Sequence, residues 1–228
     1  MNKLIKMVSV LAVLTGFSIT PLMADSSDFA GAYLGVQAQV VGVELDGKHT
    51  SGADDTGEVT TGVAGRVSAI AGAEIGYAIP ITDDMLLDIG ANYYSGDAKI
   101  TTSNTDTTAT ADVTFEIGDL MTAYIAPTFA ISDTASIYIK VGVIEADTKT
   151  TGDVTQPADL SGTLIGVGSR SLLGNGMFMR TEAGVIDFDN INVTGKGEGG
   201  TGKTVATTST VSADPLVAYG SVTIGYKF

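Results

Sequence analysis

Apolar and polar residues alternate with a period of two along eight stretches of this chain, and between those stretches the alternation lapses. The last stretch shows it most clearly. Leu216, Ala218, Gly220, Val222, Ile224, Tyr226 and Phe228 fall on one face, and Val217, Tyr219, Ser221, Thr223, Gly225 and Lys227 on the other. A strand points successive side chains to opposite sides, so this pattern describes a strand with one apolar face and one small or polar face. Such a face is covered by a second sheet or by lipid.

Seven earlier stretches repeat the pattern, at about 30–41, 63–79, 85–95, 121–131, 137–143, 163–170 and 177–185. Pro127 interrupts the fourth, where it cannot donate to a ladder. The connections follow a rule of their own. Pro80–Asp84, Ser132–Ala135 and Leu172–Gly176 are short, and the last holds a Gly-Asn-Gly able to take positive φ. Residues 44–62, 96–111, 145–160 and 187–214 are long, polar and rich in Thr, Gly and Asp. Long and short connections therefore alternate along the whole chain. A sandwich has no reason to make every odd connection long, whereas an outer-membrane barrel has tight periplasmic turns and long exterior loops. Only a closed sheet satisfies every strand's backbone groups in hydrocarbon. The pattern predicts an all-β fold, an eight-stranded antiparallel up-and-down transmembrane β-barrel with a polar lumen, spanning residues 25–228.

Residues 1–24 read as a secretory signal peptide. Lys3 and Lys6 supply the basic region, Met7–Leu14 the apolar core and Leu22-Met23-Ala24 the cleavage site. The apolar run is too short to span a membrane as a helix. The full chain has a formal charge of -14, and loss of a leader with two lysines and no acid makes the remainder more acidic still. That balance excludes nucleic acid as a partner. It suits an exterior surface that shares divalent cations with lipopolysaccharide. With no cysteine in the sequence, neither disulfides nor thiol chemistry is available.

Three segments carry a family resemblance: G-A-Y-L-G-V-Q at Gly31–Gln37, A-Y-I-A-P-T-F at Ala123–Phe129 and the terminal G-Y-K-F. They resemble the small eight-stranded outer-membrane barrels of the OmpA-like and opacity-protein superfamily, across the whole mature chain. The resemblance implies a monomer in the bacterial outer membrane with both barrel termini periplasmic. It implies outer-membrane lipid, lipopolysaccharide and the assembly machinery as partners, with an unidentified host or cell-surface ligand outside. Tyr226 and Phe228 resemble the C-terminal signal that this machinery reads. Without tryptophan, the aromatic girdles fall to Tyr77, Phe129, Tyr226 and Phe228 below and to Tyr93 and Phe115 above. No peptidoglycan-binding domain follows the last strand, so no wall-anchoring role is carried over.

Seven charged residues share the parity of the inward glycines and tyrosines: Arg66, Glu74, Asp88, Lys140, Arg170, Arg180 and Glu182. Charges inside a membrane-spanning structure are costly unless paired or hydrated. Eight strands enclose a lumen just wide enough for side chains to fill. A network of ion pairs plugging the lumen is therefore expected, and a narrow ion path is the alternative. Other candidate motifs weigh less. Gly197–Thr204 matches a phosphate-binding loop, but neither a core strand nor a helix flanks it. Asp54-Asp55 and Asp187–Asn190 lack calcium-loop spacing. His49, the only histidine, lies in a polar segment beside Ser51, without an orienting base. No catalytic, cofactor or metal-binding residue is assigned. The expected function is non-enzymatic: envelope structure and surface interaction, by adhesion or shielding. A small porin-like ion channel comes second, and a lipid A-modifying barrel enzyme third.

Overall fold

The computed structural model describes residues 25–50, 59–96, 98–104, 111–152, 154–195 and 210–228. Its strands are β1 (Gly31–Thr50), β2 (Val59–Pro80), β3 (Met85–Ser95), β4 (Ala98–Asn104), β5 (Ala111–Ser132), β6 (Ala135–Thr151), β7 (Leu160–Gly174), β8 (Met177–Phe188), β9 (Ile191–Thr194) and β10 (Thr210–Lys227). All pairings are antiparallel, in the order β1-β2-β3-β5-β6-β7-β8-β10. β10 then returns to β1, from Tyr33↔Lys227 to Thr50↔Thr210, and closes an eight-stranded barrel. β4 adds to β5 and β9 to β10 beyond the closed wall. The sheet has no lateral edge within the barrel, so each strand's backbone polar groups are met by its neighbours.

The short connections gather at one end, where Gly174, Asn175 and Gly176 turn the chain with φ of +89°, +52° and +79°. The longer connections lie at the other. The strands outrun expectation at that loop end. β1 continues to Thr50, β2 begins at Val59, β5 at Ala111 and β6 ends at Thr151, so much of what was expected as loop is strand. These lengths of 17 to 22 residues are well beyond the roughly 9–11 residues that span a bilayer. Threonine has a high strand propensity. Above the lipid it has no apolar partner to alternate with, so period two disappears while the ladder goes on.

The outer face of the lower barrel is apolar. Val36, Ile75, Met121, Val143 and Val222 are all exposed there, on the parity expected from the sequence. Tyr77, Phe129, Tyr226 and Phe228 are exposed at the turn end and Tyr93 on the opposite side of the band. Phe115 is a correction. It packs inward against the interior cluster and not in an outer girdle. The cause is one extra residue: between Gly118 and Leu120 the register with β6 shifts, and Asp119 takes a φ of +23°. A bulge inverts the parity of everything before it on the strand. Pro127 behaves as its chemistry requires, since the β5–β6 ladder skips from Ile125↔Val141 to Thr128↔Tyr138 around it.

A short 3-10 turn, Ser26–Phe29, precedes β1 and closes the turn end. Ser26 donates through its amide to Asp83 O and through Oγ to Thr82 O, both at 2.7 Å. Asp25 caps the turn by accepting from the Ser27 amide at 2.8 Å, which holds its carboxyl below the usual carboxylate range. The effect is to press Phe29 into the barrel mouth.

Candidate functional site in the barrel lumen

Inward glycines make room for inward aromatics. The Tyr33 ring lies where a Cβ on Gly76 would sit, Tyr124 does the same over Gly90, Tyr138 over Gly168 and Phe178 over Gly225. Each ring therefore lies along the wall, over the glycine directly opposite it on the neighbouring strand. The interior fills in three layers.

The layer at the turn end is apolar, built from Phe29, Tyr33, Ala78, Leu86, Ala130 and Phe178. Phe29 is fully buried, and its carbonyl accepts from Arg170 Nη1 at 3.4 Å. Nothing in the alternation pattern marks Phe29, because it stands before the first strand.

The middle layer is ionic. Asp88 Oδ2 accepts from Arg170 Nη2 at 3.0 Å, Arg180 Nη2 at 3.2 Å and Thr128 Oγ1 at 3.1 Å. Arg180 Nη1 also reaches Glu74 Oε2 and the Tyr124 hydroxyl, each at 3.2 Å. Glu182 is paired with Lys140 at 2.6 Å and accepts from the hydroxyls of Tyr138 and Tyr219, both at 2.8 Å. Aromatic faces take up the remaining sides of the cations. Lys140 sits 4.1 Å from the Tyr124 ring centre, Arg170 4.6 Å from Tyr33 and Arg180 4.9 Å from Tyr138. The structure thus brings together six of the seven predicted charges, three cations with three anions. Their sum is zero, which suits a desolvated interior.

Arg66 does not join them. It shares their parity but is exposed, four residues beyond Ile70, where the lumen has ceased to be polar. A polar group missed by sequence reasoning lies between: Tyr94 donates to Gln37 Oε1 at 3.0 Å, with Asn92 and Thr223 beside it. Only the shared inward parity could have indicated it.

The third layer corrects the expectation of a polar lumen. Val41, Val43, Ile70, Ile117, Leu120, Ile144 and further aliphatic side chains close the loop-end half of the barrel. The void left among them is about 20 Å³, lined by carbon, enough for a single water-sized sphere.

The remaining candidates fall outside this site. Tyr226 and Phe228 meet edge to face, ring centres 5.2 Å apart, on the outer surface at the turn end. His49 is on β1 and not in a loop, paired with Val211 and Thr60. Among the described residues no group of His, Cys, Asp or Glu could hold a metal ion. The phosphate-loop match, Asp54-Asp55 and the leader at 1–24 lie outside the described residues.

The sequence matches the family described as outer membrane protein beta-barrel domain over residues 9–213. No curated protein matches it. Among solved structures, OprG from Pseudomonas aeruginosa is similar at 12% identity and a TM-score of 0.56, covering 87% of this chain and 97% of that one. Neisserial surface protein A is similar at 12% identity, with 87% and 99% of the two chains covered and a TM-score of 0.44. Ail from Yersinia pestis gives 11% identity, 85% and 99% coverage and a TM-score of 0.36.

Proposed function

The chain belongs to the outer membrane protein beta-barrel domain family, and we propose that it is a non-enzymatic member serving envelope structure and surface interaction. The observation that carries this reading is the filled lumen. An apolar stopper, a neutral ionic layer and an aliphatic cap stand one above another. An ion entering from either end would have to leave water for hydrocarbon before it met any compensating charge.

The work of such a barrel is done at its outer surfaces. Residues 44–66, 97–119, 145–159 and 187–214 hold 18 acids against six bases. In our reading these face the exterior, residues 25–228 form one domain after a cleaved leader, and both termini are periplasmic. The barrel acts as a monomer, set in outer-membrane lipid by the assembly machinery, with Tyr226 and Phe228 as the feature read. The acidic end then adheres or shields, in contact with lipopolysaccharide through shared divalent cations. Liposome swelling tests the reading. Vesicles containing the barrel should not swell in small sugars, and swelling would make it a porin.

A further inference from the structure

The short turn before β1 is bonded to parts of the barrel that lie far apart along the chain. Ser26 holds the β2–β3 turn, through its amide to Asp83 O and through Oγ to Thr82 O. The Asp28 carbonyl accepts from Lys227 Nζ on β10, and the Phe29 carbonyl accepts from Arg170 Nη1 on β7. Phe29 is fully buried, in one cluster with Ala78 of β2, Leu86 of β3, Ala130 of β5 and Phe178 of β8.

The β1–β10 seam starts beside this turn. Phe228 donates through its amide to Ala32 O at 2.9 Å, and Tyr33 stands opposite Lys227. The chain swings from the turn into β1 at Gly31, with a φ of +111°, where a Cβ would meet Phe228 O at 2.9 Å. Entry to the first strand is therefore fitted to the end of the last.

Before the seam forms, β1 and β10 are the two edges of an open sheet. The spacings between its eight strands add up to about 34 Å if the sheet is flat. At that stage the turn before β1 can reach the β2–β3 turn, but neither Lys227 nor Arg170. Its full set of partners exists only in the closed barrel.

We propose that Ser26–Phe29 is a latch, which docks after β10 has paired with β1 and then holds the turn end of that seam shut. Strand ends open locally at lower cost than the core of a sheet. Here the latch ties the end of the seam to β7 and to the β2–β3 turn.

Amide exchange, read by NMR on the whole barrel in neutral micelles, tests the seam residue by residue. The Leu34–Tyr226 pair lies two residues inward from the Ala32–Phe228 bond, so antiparallel alternation points both its amides across the seam. The Tyr33 amide points the other way, to Gly76 on β2, and is the control. Phe29→Ala should quicken exchange at Leu34 and Tyr226 about tenfold or more and leave Tyr33 unchanged. Ser26→Ala removes the hydroxyl bond to Thr82, on the other side of β1 from β10, and should give the same pattern at about threefold or more.

A latch set after closure is absent from the folding transition state, so its loss shows in the unfolding rate. Refolding from urea should keep its rate in both variants, while unfolding in urea becomes faster. If Phe29→Ala does not refold, Ser26→Ala alone decides by the same readings. Equal quickening at Tyr33 and Leu34, unchanged exchange at Leu34, or refolding slowed as much as stability falls would overturn the proposal.

Discussion

Arg180 Nη2 stands 3.2 Å from Asp88 Oδ2, the same oxygen that Arg170 approaches from β7. One carboxylate oxygen from β3 therefore ties two cations across the lumen, and Arg180 extends the tie to Glu74 on β2. Removing the central guanidinium takes from buried Glu74 its cation and leaves Asp88 with Arg170 alone. Arg180→Ala should lower stability by about 3–5 kcal/mol, less where water enters. Thermal unfolding in detergent, read by the gel shift between folded and unfolded barrel, measures it.

The second ionic group allows a test of pairing. Lys140→Met alone leaves Glu182 with only its two tyrosine hydroxyls. Lys140→Met with Glu182→Gln removes both charges and should cost less than the single change. A double variant less stable than Lys140→Met would show that these residues act independently.

Glycine positions make the packing claim specific within one strand. On Gly225 a Cβ would run into the Phe178 ring and Leu34 O, while on Gly220 its nearest neighbour would be Glu182 O at 4.0 Å. Gly225→Ala should cost about 1–3 kcal/mol by overpacking. Gly220→Ala should be neutral or slightly stabilising. Equal melting of the two variants would contradict the packing of the Phe178 ring over Gly225.

Phe29 is the stopper at the turn end. Phe29→Ala should cost about 3–5 kcal/mol and expose the chain before β1 to protease. Unchanged melting and protection would mean that the turn contributes nothing to closure.

The eight strands were legible because lipid on one side and a packed lumen on the other enforce period two. Glu74, Asp88, Lys140, Arg170, Arg180 and Glu182 were legible for the same reason, since a charge on lumen parity has few places to go. Phe115 was not, because the bulge at Asp119 adds one residue without altering the composition around it. Arg66 was misplaced because parity gives the face of a strand and not the height along it. The aliphatic cap was hidden likewise: Val217 falls on the inward face, but only the wall brings it together with Ile70 and Val41.

Orientation has a direct assay, because the chain has no cysteine of its own. A membrane-impermeant maleimide added to intact cells should label Asn190→Cys, exposed at the loop end, and spare Asp133→Cys, exposed in a short turn. The reverse pattern would invert the barrel and move its acidic end to the periplasm.

The central claim is that the lumen is sealed, and single-barrel recording in a planar bilayer tests it most directly. The unmodified protein should show no steady conductance, while Arg180→Ala, with water replacing the guanidinium, should open more often. A large, stable, cation-selective conductance in the unmodified barrel would contradict the account and make Glu74, Asp88 and Glu182 the selectivity groups of a channel.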